Sequence, residues 1–559
     1  MNILQIVFSL ALFILIIIPL GKYLYKVISG EKSKIDPVFD RMDNIIYKIT
    51  RIDKEEMVWK KYAISLVVFN GVMVLVSYIV LRVQAMLFLN PNGIGAMEEG
   101  LSFNTAISFI TNTNLQDYSG ESGLSYLSQM IVIIFLMFTS GASGVAAAAA
   151  FMRGIVGKKK TLGNYFVDMV RITTRVLIPL AILVSLILVS QGTPQTLDAN
   201  VTVTTIEGKM QDIARGPVAA LESIKHLGTN GGGFFGANSA HPFENPTPIT
   251  NLVEMLSMMI IPGALVVSLG HMLKNRKQSR AIFAAMSILF LISLVVCYKA
   301  EIAGNPILTN SGLSQSLGNM EGKEVRNGIT QSALFTTVTT SFTTGSVNNM
   351  HDSLTPLGGL VPLWNMMLNV IFGGEGVGLM GMLMYAILTV FLCGLMVGRT
   401  PEFLKKKIEG KEMKLIALAI IIHPLIILTP TAISLVTTDG LAGLTNPSFH
   451  GLSQSLYQFT SSAANNGSGF EGLADNTIFW NTSAGLVMLF GRYFSMILLL
   501  AVAGSLASKK AVPVSVSTFK TDNKMFVIML VAIVLIIGAL TFLPALALGP
   551  IAEHLTLLK

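Results

Sequence analysis

The chain has 559 residues, of which 52% are hydrophobic and only 13% are charged, and its mean hydropathy is +0.65. This composition excludes an ordinary water-soluble fold and is typical of a protein that crosses a membrane several times. The formal net charge of +8 does not indicate nucleic-acid binding, because the basic residues form short clusters between apolar runs and lack interleaved aromatic residues. A membrane surface is the expected partner. Cys297 and Cys393 each lie inside an apolar run, so no disulfide framework is expected.

Crossing the hydrocarbon core of a bilayer takes a helix of about 20 apolar residues. Ten runs of about that length occur, so the predicted fold class is an all-α integral membrane protein with ten transmembrane helices. The first run has no basic n-region and no small-residue cleavage site, and we interpret it as a retained span rather than a signal peptide. The predicted spans are residues 3–21, 62–81, 128–151, 172–190, 251–272, 282–298, 364–398, 414–437, 482–507 and 525–547.

Lys and Arg are concentrated in alternate connections between these spans. Five basic segments hold 30 of the 39 Lys and Arg residues. Because such residues mark the cytoplasmic side, the pattern predicts that both termini lie outside the cytoplasm. The five segments are 22–61, 153–175, 271–280, 399–414 and 509–524.

The remaining connections contain four uncharged stretches rich in Thr, Asn, Ser and Gly. We call them loop 1 (108–116), loop 2 (228–236), loop 3 (339–348) and loop 4 (461–470). With Asn114, Gly232, Gly345 and Gly467 as markers, the spacings are 118, 113 and 122 residues, which indicates a fourfold internal duplication. Two spans per unit keep all four units in one orientation, so they can surround a central pore along the membrane normal.

Each loop follows a short helix-compatible segment, which predicts a half-helix that enters the bilayer and an extended return. Irregular backbone at that depth leaves carbonyl groups unsatisfied unless they face water or an ion. Four loops of carbonyls can replace the hydration shell of an ion, and the absence of carboxylates favours a dehydrated monovalent cation over a divalent one. Any single loop could also be an ordinary polar turn; four in register with the spans favour the pore. No transition-metal site is predicted.

Three segments resemble a known family: Thr-Asn-Thr-Asn at 111–114, the glycine-rich stretch 228–247, and 461–468. They are similar to KdpA, the family of potassium-binding subunits of bacterial Kdp potassium-transporting ATPases, and the resemblance covers essentially the whole chain. It implies the fold of potassium channels and of Trk, Ktr and HKT transporters, with four pseudo-symmetric M1-P-M2 repeats and one extra helix at each end. It also implies a location in the bacterial cell membrane.

The resemblance further implies that the chain binds extracellular K⁺ in a selectivity filter. The ion would then pass through an intramembrane tunnel to the P-type ATPase subunit KdpB, with KdpC and KdpF completing the complex. Loop 3 lacks the glycine-rich look of loop 2, which leaves the contribution of each loop open. The positions expected to bind K⁺ are Thr111, Asn112, Thr113, Asn114, Gln116, Thr229, Asn230, Gly231, Gly232, Thr343, Thr344, Gly345, Ala464, Asn465, Asn466 and Gly467.

The predicted spans and loops divide the chain into six parts. They are 1–61 with the first span and a cytoplasmic loop, 62–171 as repeat 1, 172–281 as repeat 2, 282–412 as repeat 3, 413–508 as repeat 4, and 509–559 with a cytoplasmic loop and the last span.

Two further features point to the pore. The apolar run 361–398 would be roughly 57 Å long as one helix, so we expect a break at Gly373, Gly374, Glu375 and Gly376 that obstructs conduction below the filter. A continuous helix that leaves the membrane is the alternative. Arg492 lies inside the ninth predicted span, where a charge must face the bundle interior or a wet cavity, unless it extends to the interface.

No catalytic site is expected in this chain. It has no Gly-rich phosphate loop, and its largest basic segment is too short for a nucleotide-binding domain. ATP hydrolysis would therefore reside in another subunit, and no cofactor is expected. A stand-alone Trk/Ktr-like channel or ion-coupled transporter is the main alternative. An organic-solute carrier, which would have inverted repeats and charged midplane residues, fits less well.

Overall fold

The computed structural model of the protein describes residues 2–32, 36–157, 159–396, 398, 400–513 and 519–558. Within these ranges, ten helices are long and apolar enough to cross a membrane. The prediction of an all-α membrane protein with ten spans is confirmed. Met1 and Lys559, the terminal residues that the charge pattern places outside the cytoplasm, lie outside the described residues.

In the described part of the chain, four short half-helices each lie between the two spanning helices of a pair. The first half of the chain contains α1 (Asn2–Ser29), α2 (Asp36–Thr50), α3 (Trp59–Val83), α4 (Glu99–Ile110), α5 (Tyr126–Val156), α6 (Tyr165–Ser190), α7 (Val218–Leu227) and α8 (Pro248–Met272). The second half contains α9 (Arg276–Ala303), α10 (Gly328–Ser341), α11 (Pro356–Leu368), α12 (Val377–Met396), α13 (Gly410–Ser434), α14 (Ser448–Ala464), α15 (Ile478–Ala507) and α16 (Lys524–Leu546).

Irregular and short helical turns complete these elements. Turns of π-helix lie at Gln129–Ile134 in α5, at Thr173–Leu177 in α6 and at Ala547–Ile551, which leads from α16 into Ala552–Thr556. Single turns occur at Gln84–Met86, Gly120–Gly123, Asn238–Ala240, Pro306–Asn310, His351–Ser353 and Thr438–Ala442.

Local sequence explains where several helices begin. Thr247 forms a capping box with Thr250, and Pro248 occupies the first turn of α8, where its missing N–H costs nothing. Asn275 accepts from the amides of the first turn of α9, and Asn523 does the same for α16. These caps satisfy amides that the helix itself cannot pair.

Two small hairpins were not predicted from the sequence. Strands β1 (Val201–Thr204) and β2 (Met210–Ile213) pair antiparallel, with Val203 opposite Gln211. Strands β3 (Glu402–Phe403) and β4 (Lys406–Lys407) form a shorter antiparallel pair. Both lie in connections between spanning helices.

In each successive pair of spanning helices, the second helix is the more deeply buried. Helices α5, α8, α12 and α15 form the inner layer, whereas α3, α6, α9 and α13 expose more of their surface. Small residues allow the close approach of inner helices: a Cβ at Gly154 in α5 would lie 2.7 Å from the Cβ of Ala503 in α15. The alanines 146–150 of α5 are completely buried.

The long apolar run predicted as the seventh span is interrupted between α11 and α12. Residues 369–376 are not helical, and Asn369, Phe372, Gly373 and Gly376 have left-handed backbones. The spanning helix is therefore α12 alone, which begins later than the predicted 364–398. The expected break at 373–376 lies inside this interruption.

Candidate ion-binding site

Each of the four loops begins within or directly after the last turn of a half-helix. Half-helix α4 precedes loop 1, α7 precedes loop 2, α10 leads into loop 3 and α14 into loop 4. The C-terminal end of a helix carries roughly half a negative charge from its aligned peptide dipoles. Four such ends meeting at one place favour a cation there.

The four loops have the same backbone conformation. In each, two residues with left-handed φ angles between +46° and +99° flank one central residue. Alternating handedness turns successive peptide groups the same way, so N–H groups line one side of the segment and C=O groups the other. The flanking pairs are Asn112 and Asn114, Thr229 and Gly231, Thr343 and Gly345, and Asn465 and Gly467.

The backbone angles correct one of the four positions from which the repeat spacing was measured. The residue of loop 2 that corresponds to Gly345 and Gly467 is Gly231, with φ +99°, rather than Gly232. Gly232 instead faces loop 1, since a Cβ there would lie 3.0 Å from the Cβ of Asn114. Glycine runs are ambiguous by one residue in a sequence, and only the backbone angles resolve them.

Loop amides point back to the half-helices. The N–H groups of Thr113 and Asn114 both donate to the carbonyl oxygen of Ser108. The corresponding acceptors in the other repeats are the carbonyl oxygens of Lys225, Thr339 and Ser461. Among the described residues, none donates a hydrogen bond to the central carbonyl oxygen of any loop. These oxygens belong to Thr113, Asn230, Thr344 and Asn466.

Loop 1 contacts loop 2 on one side and loop 4 on the other. The Asn112 side-chain amide donates to the Thr229 carbonyl at 2.8 Å. The Asn465 side-chain amide donates to Thr113 Oγ1 at 2.9 Å. A Cβ at Gly467 would overlap the carbonyl oxygen of Thr113.

Loop 3 contacts loops 2 and 4 in the same manner. A Cβ at Gly231 would overlap the carbonyl oxygen of Thr344, and a Cβ at Gly345 would overlap that of Asn466. The Asn466 side-chain amide also donates to the carbonyl oxygen of Thr339 at 3.0 Å. The four loops therefore form a closed ring in the order 1-2-3-4, which we call the carbonyl ring.

The predicted filter residues all lie in this ring or at its edge. Gln116 joins loop 1 to loop 2 by donating to Gly233 O at 3.0 Å and accepting from Gly233 N at 2.8 Å. Thr111 and Ala464 lie where half-helix and loop meet. Of the sixteen positions predicted to bind K⁺, all are buried except Gln116 and Gly467, which are half-buried.

The interruption between α11 and α12 lies against the ring. The backbone N–H of Glu375 donates to Thr229 Oγ1 at 3.0 Å. The Asn369 side chain accepts from Thr343 Oγ1 at 3.1 Å and donates to the Ala464 carbonyl at 3.3 Å. The interruption thus contacts loops 2 and 3 and the end of the fourth half-helix.

Glu375 and Arg492 both reach the same stretch of α5. Neither carboxylate oxygen of Glu375 has a hydrogen-bond partner among the described residues, and one would lie 2.8 Å from a Cβ at Gly141. Arg492 is 4% exposed and donates to the Ser140 carbonyl at 3.3 Å. Arg492 therefore faces the interior rather than the membrane interface.

Sequence comparison identifies the family. The family model described as "Potassium-transporting ATPase A subunit" matches residues 7–555. The chain belongs to the KdpA family. It is 64% identical over 558 residues to a Clostridium acetobutylicum protein named potassium-transporting ATPase potassium-binding subunit, covering 100% of both chains.

A second relative and one solved structure are also similar. The Geobacillus kaustophilus protein of the same name is 58% identical over 547 residues, with 98% of each chain covered. The crystal structure of the potassium transporter TrkH from Vibrio parahaemolyticus matches with a TM-score of 0.49 and 14% identity, covering 76% of this chain and 84% of that one.

Sequence reasoning missed a charged cluster behind loop 2 of this KdpA-family chain. Lys225, in the second half-helix, is completely buried, and its ammonium donates to Glu244 at 2.6 Å, to Glu222 at 3.0 Å and to Ser239 Oγ at 3.0 Å. The signal was present, because Glu222 and Lys225 stand three residues apart in a half-helix that is otherwise mostly apolar.

His226 connects this cluster to loop 3. Its Nε2 lies 2.9 Å from Ser346 Oγ, and its Nδ1 lies 2.9 Å from the Glu222 carbonyl oxygen. Glu222, His226 and Glu254 have ligand atoms within 4.8 Å of one another, a spacing compatible with a metal ion. Both ring nitrogens of His226 already have partners, and the Lys225 ammonium supplies the cation that Glu222 contacts.

Proposed function

We propose that this chain is the potassium-binding subunit of a potassium-transporting ATPase and that the carbonyl ring is its K⁺ site. The observation that carries the proposal is the closed ring, in which four central carbonyl oxygens accept no hydrogen bond from any described residue. Buried carbonyls without partners are costly, and a dehydrated cation at the ring centre satisfies all four at once. The names of the two bacterial relatives support K⁺ as the ion.

The ring chemistry suits a monovalent ion. None of the four loops contains Asp, Glu, Lys or Arg, so the ligands are neutral dipoles. Divalent cations usually take carboxylate oxygens, whereas carbonyl oxygens and helix C-terminal ends suffice for K⁺. The surrounding half-helices keep the loops rigid, since their first free carbonyl anchors the loop amides.

The interruption at residues 369–376 acts as the gate below the ring. An ion that leaves the ring toward α12 meets Gly373, Gly374 and Glu375. The Arg492 guanidinium and the Glu375 backbone carbonyl both lie against Gly144. A cavity of about 70 Å³ begins at Asn369 and Asn465 and is lined by Tyr385 and His423. The ion turns sideways through this cavity because the direct route is obstructed.

The sideways path leads to the ATP-hydrolysing subunit. That subunit is KdpB, and KdpC and KdpF are the remaining partners. This chain contributes ion selection and passage, while ATP hydrolysis takes place in KdpB. K⁺ is its transported ligand, and lipid surrounds its spanning helices.

The protein lies in the bacterial cell membrane with both termini outside. The five basic segments then face the cytoplasm and the ring opens to the outside. Each repeat begins with its first spanning helix, at α3, α6, α9 and α13, with α1 and α16 as the extra helices. The repeated pairs of left-handed residues support this fourfold division.

Ion density tests the assignment directly. The full complex is purified in K⁺, in Na⁺ and in Tl⁺, and maps are compared at the ring. We expect a peak between Thr113, Asn230, Thr344 and Asn466 in K⁺ and an anomalous peak there in Tl⁺, but not in Na⁺. A ring that stays empty in K⁺, or is equally occupied by Na⁺, would overturn the proposal.

A further inference from the structure

A groove of about 510 Å³ runs between α1, α8 and α9 on the surface of the helical bundle. Its floor is narrow because α1 and α8 pack closely: a Cβ at Gly21 would lie 2.5 Å from the Cβ of Val267. Ile14 and Ile18 line the groove and are 46% and 57% exposed. An exposed apolar groove beside a spanning helix has the chemistry of an acyl-chain site.

One end of this groove is basic. Lys22, Arg276 and Arg280 line it there, and all three are exposed. Within the part of the chain that the structure describes, none of the three forms an ion pair. We call the whole feature the basic groove.

Two carboxylates accept hydrogen bonds from uncharged residues that contact or adjoin the lining of the basic groove. Glu31 accepts a hydrogen bond from Tyr25 at 2.5 Å, and Tyr25 stacks on His271 at a centroid distance of 5.8 Å. Asp522 accepts from the Asn275 side chain at 3.4 Å. Among the described residues, neither carboxylate forms an ion pair with Lys22, Arg276 or Arg280, so the positive charge at the end of the basic groove is available to an external anion.

We propose that the basic groove binds one anionic glycerophospholipid. The lipid phosphate lies between Lys22, Arg276 and Arg280, and an acyl chain lies along Ile14 and Ile18. Charge complementarity selects this occupant, because basic side chains at the membrane surface attract anionic headgroups. A zwitterionic lipid brings its own ammonium group toward three cations, and an apolar partner helix leaves them without a counter-ion.

Lipid titration tests the proposal. The full complex is delipidated in neutral detergent and titrated with dioleoyl phosphatidylglycerol or dioleoyl phosphatidylcholine, and native mass spectrometry counts the bound lipids. The triple variant Lys22→Gln, Arg276→Gln, Arg280→Gln should bind phosphatidylglycerol at least roughly tenfold more weakly, because three headgroup contacts are lost. Phosphatidylcholine binding should be weak in both proteins.

A matched control removes three other exposed basic residues from the same side of the protein. Arg41→Gln, Lys48→Gln, Lys411→Gln changes the net charge equally but leaves the groove intact, and we expect wild-type phosphatidylglycerol binding. A second variant, Ile18→Trp, fills the apolar part without changing any charge. It should also weaken phosphatidylglycerol binding, which a purely electrostatic surface would not show.

Four outcomes would overturn the proposal. The first is equal loss in both triple variants, and the second is wild-type binding by Lys22→Gln, Arg276→Gln, Arg280→Gln. The third is displacement of phosphatidylglycerol by millimolar inorganic phosphate, which would mean a phosphate site without an acyl-chain component. The fourth is a map of the complex in which a helix of another subunit occupies the groove. All four are independent of K⁺ binding at the ring.

Discussion

Loops 2 and 4 have the same backbone but different supports. In both, left-handed residues flank the central residue, at Thr229 and Gly231 and at Asn465 and Gly467. Behind loop 4, the Ser461 hydroxyl accepts from the Gly467 amide at 2.9 Å. At the corresponding position behind loop 2 stands Lys225, whose buried ammonium contacts Glu222 and Glu244.

Loops 2 and 4 therefore reach the same backbone conformation with chemically different supports. A neutral hydrogen bond contributes about 1 kcal/mol, and its loss leaves one unpaired group. Removing one partner of a buried ion pair costs about 3–5 kcal/mol, because the remaining charge stays in a medium that solvates it poorly. Loop 2 should therefore be far more sensitive than loop 4 to a change in its half-helix.

The largest expected effect comes from Lys225→Met. It leaves the carboxylates of Glu222 and Glu244 without their cation, so the complex should lose about 3–5 kcal/mol of stability and K⁺ uptake should fail at low K⁺. Ser461→Ala should cost only about 1 kcal/mol. Thermal unfolding of the complex and K⁺-limited growth measure both.

Lys225→Arg is the control that distinguishes a local effect on loop 2 from a general failure to fold. It keeps the charge, so it should restore stability, while the larger guanidinium displaces loop 2 and raises the K⁺ concentration that half-saturates uptake. Equal tolerance of Lys225→Met and Ser461→Ala would show that the charged cluster does not support the ring.

The next largest effect is expected at the close contacts between loops. Gly345 has φ +89°, and a Cβ there overlaps the Asn466 carbonyl oxygen. Gly345→Ala should strain the backbone by about 1–3 kcal/mol and raise the half-saturating K⁺ concentration by roughly 10- to 100-fold. Asn114→Gly, at the corresponding position of loop 1, should change the half-saturating K⁺ concentration less than about fivefold. Similar effects of the two changes would contradict the assigned correspondence.

A smaller effect is expected from the link between loops 2 and 3. Ser346 Oγ contacts His226 Nε2 at 2.9 Å and Ser239 Oγ at 3.1 Å. Ser346→Ala should cost about 1 kcal/mol, and in a double-mutant cycle with Lys225→Arg it should show a coupling of about 0.5–3 kcal/mol. Ser468→Ala, at the same position of loop 4, should be additive with Lys225→Arg. A coupling of zero for Ser346 would mean that the cluster does not act on loop 3.

The smallest effect on K⁺ uptake is expected from a charged contact outside the ring. Burial alone would lower the pKa of His450, but hydrogen bonds to Asp352 and Glu553 raise the pKa from 6.5 to about 10. Since the folded pKa exceeds the unfolded one, this stabilisation is complete below pH 6.5 and is lost as the pH rises through about 10. The melting temperature should fall by a few degrees more between pH 7 and pH 10 in the wild type than in His450→Gln. If the melting temperatures of the wild type and His450→Gln fell equally between pH 7 and pH 10, this role for His450 would be contradicted.

Much of the architecture follows from local patterns in the chain. The ten spans were predictable because length and apolarity are properties of each segment alone, and the loops because four uncharged stretches recur at nearly equal spacing. The break at Gly373 followed from the excess length of one apolar run. The correspondence of Gly231 with Gly345 was not predictable, because neighbouring glycines differ only in their backbone angles.

The sequence by itself determined the number of spans, the position of the four loops and the neutrality of the loops, since each depends on residues adjacent in the chain. Tertiary structure alone decided that the loops close into a ring and that Glu244 and Ser239 reach Lys225. These contacts join residues that are far apart or separated by turns, and the dense packing of inner helices sets their distances. Buried charges are tolerated only where such packing supplies a partner, which no local pattern reveals.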